Sequence, residues 1–145
     1  MGISANVVAL ESEKCLKQAN TQMEMNQCAG VGYQEADVEL NRVYQLIKKI
    51  YKNDKLFIER LKKVQNVWIK LRDADFGLQY PHKDEPLYYG SVFPMCVADL
   101  KARLTLQRVE FLKQWLVGAA EGDVCSGSQM LQMQLKNILK SEYIQ

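Results

Sequence analysis

Apolar residues recur at intervals of three and four along most of the chain, the period of an α-helix that buries one face. The clearest run covers residues 21–51, where Met25, Cys28, Gly32, Ala36, Leu40, Val43, Ile47 and Ile50 fall on one stripe. Its start reads as a capping box. Thr21 is placed to accept the Glu24 backbone N–H, and the Glu24 carboxylate to reach back to the Thr21 N–H, so two orphan donors are satisfied at once. Gly30 and Gly32 each cost about 1 kcal/mol relative to Ala inside a helix. They are read as close-packing positions or a local irregularity within a continuous helix.

The pattern predicts further helices on either side. Residues 7–19 suggest a short helix that reverses near Asn20 into the cap at Thr21. After Tyr51, Lys52-Asn53-Asp54 supplies a turn, with Asp54 as the N-cap of a helix over residues 55–78. Phe57, Leu61, Val64, Trp68, Leu71, Asp75 and Leu78 form its repeating face, and the short connection makes it antiparallel to its predecessor. Pro81 and Pro86 break the period over 79–90, which is therefore a loop. A fourth helix starts at Ser91 or near Pro94, repeats Val97, Leu100, Leu104, Phe111 and Trp115, and ends at Gly118. A glycine-rich connector leads to a last helix over 128–143, striped with Leu131, Leu135, Ile138 and Leu139. The expected fold class is all-α: an antiparallel bundle of four to five helices built from helical hairpins, as a single domain over 1–145.

Composition narrows the class without naming a function. The 145 residues are 48% hydrophobic and 25% charged, ordinary for a globular protein with a sizeable core. Nineteen basic against seventeen acidic residues leave a net charge of +2, and no Arg-rich or aromatic-basic platform stands out, which argues against nucleic acid as a partner. No apolar run reaches the length of a transmembrane helix. The start, Met1-Gly2 followed by ISANVVALESE, lacks a basic n-region and a proper h-region, so no intact signal peptide is expected; Met1-Gly2 could be a scar ahead of a mature terminus. The residues ESEK before Cys15 are wrong for a lipoprotein cleavage site.

Four cysteines, at 15, 28, 96 and 125, lack the paired spacing of a zinc site, and the lone His82 supplies no second ligand pair, so neither metal nor cofactor is expected. They are either disulfide partners in an oxidising compartment or buried apolar thiols. Cys15 and Cys28 lie about equally far from the turn at Asn20, the geometry of a staple across a helical hairpin. Closing that loop contributes on the order of 3 kcal/mol in the chain-entropy model.

Cys15 followed by QANTQMEMNQCA, then Ala36-Asp37, Leu40-Asn41 and Tyr44, then Gln65, Trp68 and Arg72-Asp73, then Gly90-Ser91 and Cys96, resembles the LprI-type family of small secreted bacterial proteins. The resemblance spans about 15–116, leaving the last helix as an addition. It implies an all-helical, exported, periplasmic or secreted protein, and inhibition of lysozyme in at least some members. Phe76 stands where the family usually has a cysteine, whose partner would be Cys96, and Cys125 is extra. A Cys96–Cys125 bond would need the fourth helix to end early or bend, since 22 helical residues span about 33 Å and seven extended ones reach back about 24 Å.

Most of the shared positions have a structural reading. Asp37 and Asn41 are one turn apart, and Arg72 falls on the antiparallel helix, so an Asp37–Arg72 ion pair completed by Asn41 is expected between helices. Tyr44 and Trp68 read as core aromatics. Asp73 and Asp75 have neither histidine nor nucleophile beside them, so the chain is not expected to be an enzyme. The expected recognition surface is the loop 80–91, where Tyr80, Tyr88 and Tyr89 accompany His82, Asp84 and Glu85 between two prolines. Alternatively, the tyrosines pack back on the helix ends. The resulting functional expectation is an inhibitor that occludes a peptidoglycan-degrading enzyme, most consistently a lysozyme; a helical envelope protein or an immunity protein against a secreted toxin is the other reading.

Overall fold

The computed structural model describes residues 5–143 and is all-α. Its helices are α1 (Ala5–Gln18), α2 (Gln22–Ile50), α3 (Lys55–Gln79), α4 (Phe93–Val117) and α5 (Gln132–Tyr143). Met1 and Gly2, read above as a scar, lie outside the described residues. Among these helices none is long and apolar enough to cross a membrane.

Helix α2 is the spine, packed along α4 on one side and α1 on another. Its capping box forms as the sequence requires: Thr21 Oγ1 accepts from the Glu24 N–H, and the Glu24 carboxylate accepts from the N–H of both Thr21 and Asn20. Those two backbone donors hold the Glu24 carboxyl below its usual pKa. The helix runs unbroken through both glycines. At Gly32 a Cβ would touch Ser12 of α1 at 3.4 Å, so this position sets how closely α1 approaches, whereas Gly30 has no such neighbour. Cys15 and Cys28 are joined across the α1–α2 hairpin, with Cα atoms 5.4 Å apart.

Leu40, Val43, Ile47 and Ile50 from α2 meet Leu61 from α3, Val109 and Leu112 from α4 and Leu135 from α5 in the core, with Tyr51 at the end of α2. Tyr51 joins three elements: its hydroxyl donates to the Trp115 carbonyl (2.9 Å) and accepts from the Met130 N–H (3.0 Å), while its ring lies 4.6 Å from that of Phe57. Tyr51→Phe strands both backbone groups in a buried setting and is expected to cost about 2 kcal/mol, measurable by urea unfolding. Burial also raises the Tyr51 pKa, outweighing the Met130 N–H that lowers it. The unfolded phenol therefore loses its proton first, and stability falls as pH rises above the ordinary tyrosine value of about 10. That alkaline loss should be shallower in Tyr51→Phe.

The last helix begins later than its apolar stripe suggests. Gly118 ends α4 at φ +83°, and an added Cβ would sit 2.5 Å from Leu135 Cδ1 and 2.7 Å from the Met130 oxygen. Residues 119 and 131 form a parallel bridge, in which the Ala119 N–H donates to Met130 O and the Gln132 N–H to Ala119 O. The backbone at 130 and 131 is thus committed to the bridge, and α5 starts at Gln132.

Helix α3 is rotated from the expected face. Leu61 and Gln65 are its buried residues, with Phe57, Trp68 and Arg72 half-buried on the same side, while Val64, Leu71 and Leu78 are exposed. Gln65 takes the inner position because its amide oxygen accepts from Arg108 Nε of α4 at 3.0 Å. Against α2, α3 stands off, and a groove opens between them.

Candidate functional site

Two features lie along α3. The first is the α3–α4 loop. It is a chain of tight turns, with backbone bonds from Lys83 to Tyr80, Glu85 to His82, Tyr88 to Glu85 and Gly90 to Leu87. Tyr80 and Tyr89 face inward, packing edge-on to each other at 5.2 Å and against Phe93 at 5.3 and 4.9 Å, with Phe76 behind Tyr80. The Tyr89 hydroxyl also accepts the His82 N–H. Phe76 therefore fills an aromatic cluster under the loop. Cys96 and Cys125 are both free thiols, and α4 continues to Val117 without the early end that a bond between them requires.

The outer layer of the loop differs. Tyr88 is exposed and stacks on the His82 ring at 4.1 Å, and the His82 Nδ1 contacts Glu85. Lys83 pairs with Asp84 on the surface. At the tip, Leu87 is 90% exposed and has φ +63°, a left-handed conformation that costs an L-residue roughly 1–2 kcal/mol. Leu87→Gly is expected to raise stability by up to about 1 kcal/mol, because relief of that strain exceeds the entropy glycine adds to the unfolded chain. Thermal melting checks this, and an unchanged or lower midpoint would show that the tip is unstrained.

The second feature is the groove between α2 and α3, about 440 Å³. The family-matched residues Asp37, Asn41, Tyr44, Trp68 and Arg72 converge on it, joined by Tyr33, Gln45 and Asn66, over a floor containing Leu40. The expected Asp37–Arg72 ion pair does not form. Arg72 Nε instead lies 3.5 Å from Asp73 Oδ1, and the guanidinium sits 5.2 Å from the Trp68 ring. The Asp73 carboxylate gives the buried Nε an ion-pair contact but no hydrogen bond. Asn41 Nδ2 approaches Asp37 Oδ2 only at 3.5 Å. The physical reason is the standoff of α3: side chains that would meet between closely packed helices line a gap. Trp68 also has Arg108 at 5.9 Å on its α4 side, where burial lowers the guanidinium pKa. Lys101 lies 6.0 Å from the Tyr33 ring and 5.1 Å from Phe76, so the groove's upper end adjoins the aromatic cluster of the loop.

Leu87, Tyr33, Asn66 and Arg108 did not stand out in the sequence. A left-handed leucine carries no local signature, and the other three become neighbours of the site only through helix placement. Among the described residues no group of histidine, cysteine and carboxylate side chains could hold a metal ion.

Fold and site together define a disulfide-stapled, all-α protein that presents a rigid aromatic loop beside a polar groove. The chain belongs to the LprI lysozyme inhibitor family, whose model matches residues 13–112. It is also similar to the uncharacterized protein R02472 of Rhizobium meliloti (strain 1021), with 33% identity over 122 residues covering 77% of this chain and 85% of the relative. No solved structure matches it.

Proposed function

We propose that this protein inhibits a lysozyme by protein–protein occlusion, with the tip of the α3–α4 loop seated against the enzyme's cleft. The observation that carries the reading is Leu87: a large apolar side chain, almost fully exposed and held in a strained backbone conformation, at the end of a loop braced from beneath by stacked aromatics. Backbone strain of this kind clusters at ligand clamps and functional loops, which supports a contact role for the tip. Tyr88 adds a broad, rigid surface whose rotamer is already restricted by His82, which reduces the entropy lost on docking. Asp84 and Glu85 place negative charge at the rim, suited to steering a basic enzyme. Family membership supports the target class, and the disulfide supports an oxidising, periplasmic or secreted location. In this reading the protein binds and performs no chemistry of its own.

Tyr80 and Tyr89, which pack inward, brace the loop in this reading, and Leu87, Tyr88, His82, Asp84 and Glu85 form the contact set. The test is complex formation with lysozymes of several classes, measured by co-elution and calorimetry, for the parent protein and Leu87→Ala/Tyr88→Ala. Binding by the parent and its loss in the variant, with an unchanged circular dichroism spectrum, is the expected result. Binding retained by the variant would move the contact elsewhere. Absence of binding by the parent would favour an envelope or immunity partner, to be identified by pull-down from an envelope extract.

A further inference from the structure

We propose that the α2–α3 groove is a saccharide-binding site that takes a short oligosaccharide of N-acetylated hexosamines, independently of any contact made by the loop. Its volume lies within the range of about 300–1,000 Å³ typical of small-molecule sites. The wall residues combine the two properties that a pyranose requires. Trp68 supplies a flat, half-buried apolar ring at the groove wall, with the Arg72 and Arg108 guanidinium groups 5.2 and 5.9 Å from its centroid. Asp37, Asn41 and Asn66 supply planar polar groups that pair with adjacent hydroxyls.

Those polar groups are little used within the protein. Asn41 has only its long contact with Asp37, and the side chain of Asn66 makes no hydrogen bond among the described residues. The Arg72 guanidinium lines the groove; its Nε is buried against Asp73 at 3.5 Å, and its terminal N–H groups make no hydrogen bond among the described residues. A ligand that brings an acceptor gains a charge-assisted hydrogen bond from those terminal groups.

The chemistry of the walls selects among acceptors. A phosphate-rich ligand would set its charge against the Asp37 carboxylate, which has no cation within ion-pair distance among the described residues. A hydrocarbon ligand would desolvate the exposed amides without replacing their hydrogen bonds. A neutral acetamide meets both conditions, its carbonyl accepting from Arg72 and its methyl resting on the apolar floor that Leu40 and Ile69 contribute. Neighbouring sugar hydroxyls then donate to Asp37 and exchange hydrogen bonds with the two asparagines.

The probe is chitotriose, titrated calorimetrically into the whole protein and followed through Trp68 fluorescence in a Trp115→Phe background, which leaves Trp68 as the sole indole. Saturable binding with a shift in Trp68 emission is expected. Asn41→Ala and Asn66→Ala, both at exposed positions, should each weaken binding by about tenfold for a lost hydrogen bond, with circular dichroism and Asn41→Asp as controls on folding and shape. Maltotriose, which lacks the acetamide, should bind at least about tenfold more weakly by the same arithmetic. The proposal is overturned by absence of chitotriose binding, by affinity that survives both asparagine changes, or by equal affinity for maltotriose. Lysozyme is absent from all these measurements, so their failure leaves the loop reading untouched.

Discussion

Ile47→Ala is expected to destabilise the protein by about 4 kcal/mol, within the range for emptying a well-packed core position. Ile47 has no exposed surface and belongs to the cluster in which α2, α3, α4 and α5 meet. Around it, Val43, Val109, Leu112 and Leu135 are also almost fully buried. Helices anchored on several sides relax little into a cavity, so the lost methyl groups are felt both as transfer energy and as missing dispersion contacts. For a chain of this length the melting midpoint should fall by roughly 12–16 °C. A loss below about 1 kcal/mol would mean that α3 and α5 collapse onto the site, and that the groove beside Leu40 is not rigidly framed.

Opening the Cys15–Cys28 bond is the other large perturbation, expected to cost about 3 kcal/mol in the chain-entropy model for a loop of this size. Its location gives the loss a local signature. Helix α1 is pinned to α2 by this bond and by the close approach at Gly32, and α2 continues into the core well beyond them. Cys15→Ser should therefore increase amide exchange first in α1 and the first turns of α2, leaving the protection around Val43 and Ile47 lowered only by the global loss. Non-reduced peptide mapping of protein produced in an oxidising compartment should recover Cys15 and Cys28 as one linked pair; recovery of both as free thiols would contradict the pairing.

Local chemistry made much of the scaffold readable. The Thr21–Glu24 box and Asp54, whose carboxylate accepts the Phe57 N–H, are decided within four residues of chain, and both form as their spacing requires. The stripe of α2 from Cys28 to Ile50 is buried, because a long helix at the centre of a bundle has one unambiguous apolar face. On α3 the same reasoning misplaced Val64, Leu71 and Leu78. That helix has apolar residues on two faces, and the choice is made by Arg108, 43 positions away, which draws Gln65 inward. The site was legible in composition but not in geometry. Its family-matched side chains do come together, yet around a groove and not in the ion pair that close helix packing would produce. Among the loop tyrosines, inward and outward orientation depends on Phe76 and Phe93 from two different helices, which no local pattern encodes.

The central claim, that the loop tip occludes a lysozyme, is tested most directly by titrating the rate of bacterial cell-wall lysis by lysozyme with the parent protein and with Tyr88→Ala. Tyr88 is exposed and touches only loop neighbours, so its truncation should leave the melting midpoint unchanged within about 0.5 kcal/mol. The account predicts stoichiometric inhibition by the parent, and inhibition at least about tenfold weaker for Tyr88→Ala, as for an aromatic anchor at an interface. Lysis undiminished by an excess of the parent, or equal inhibition by both proteins, would contradict it.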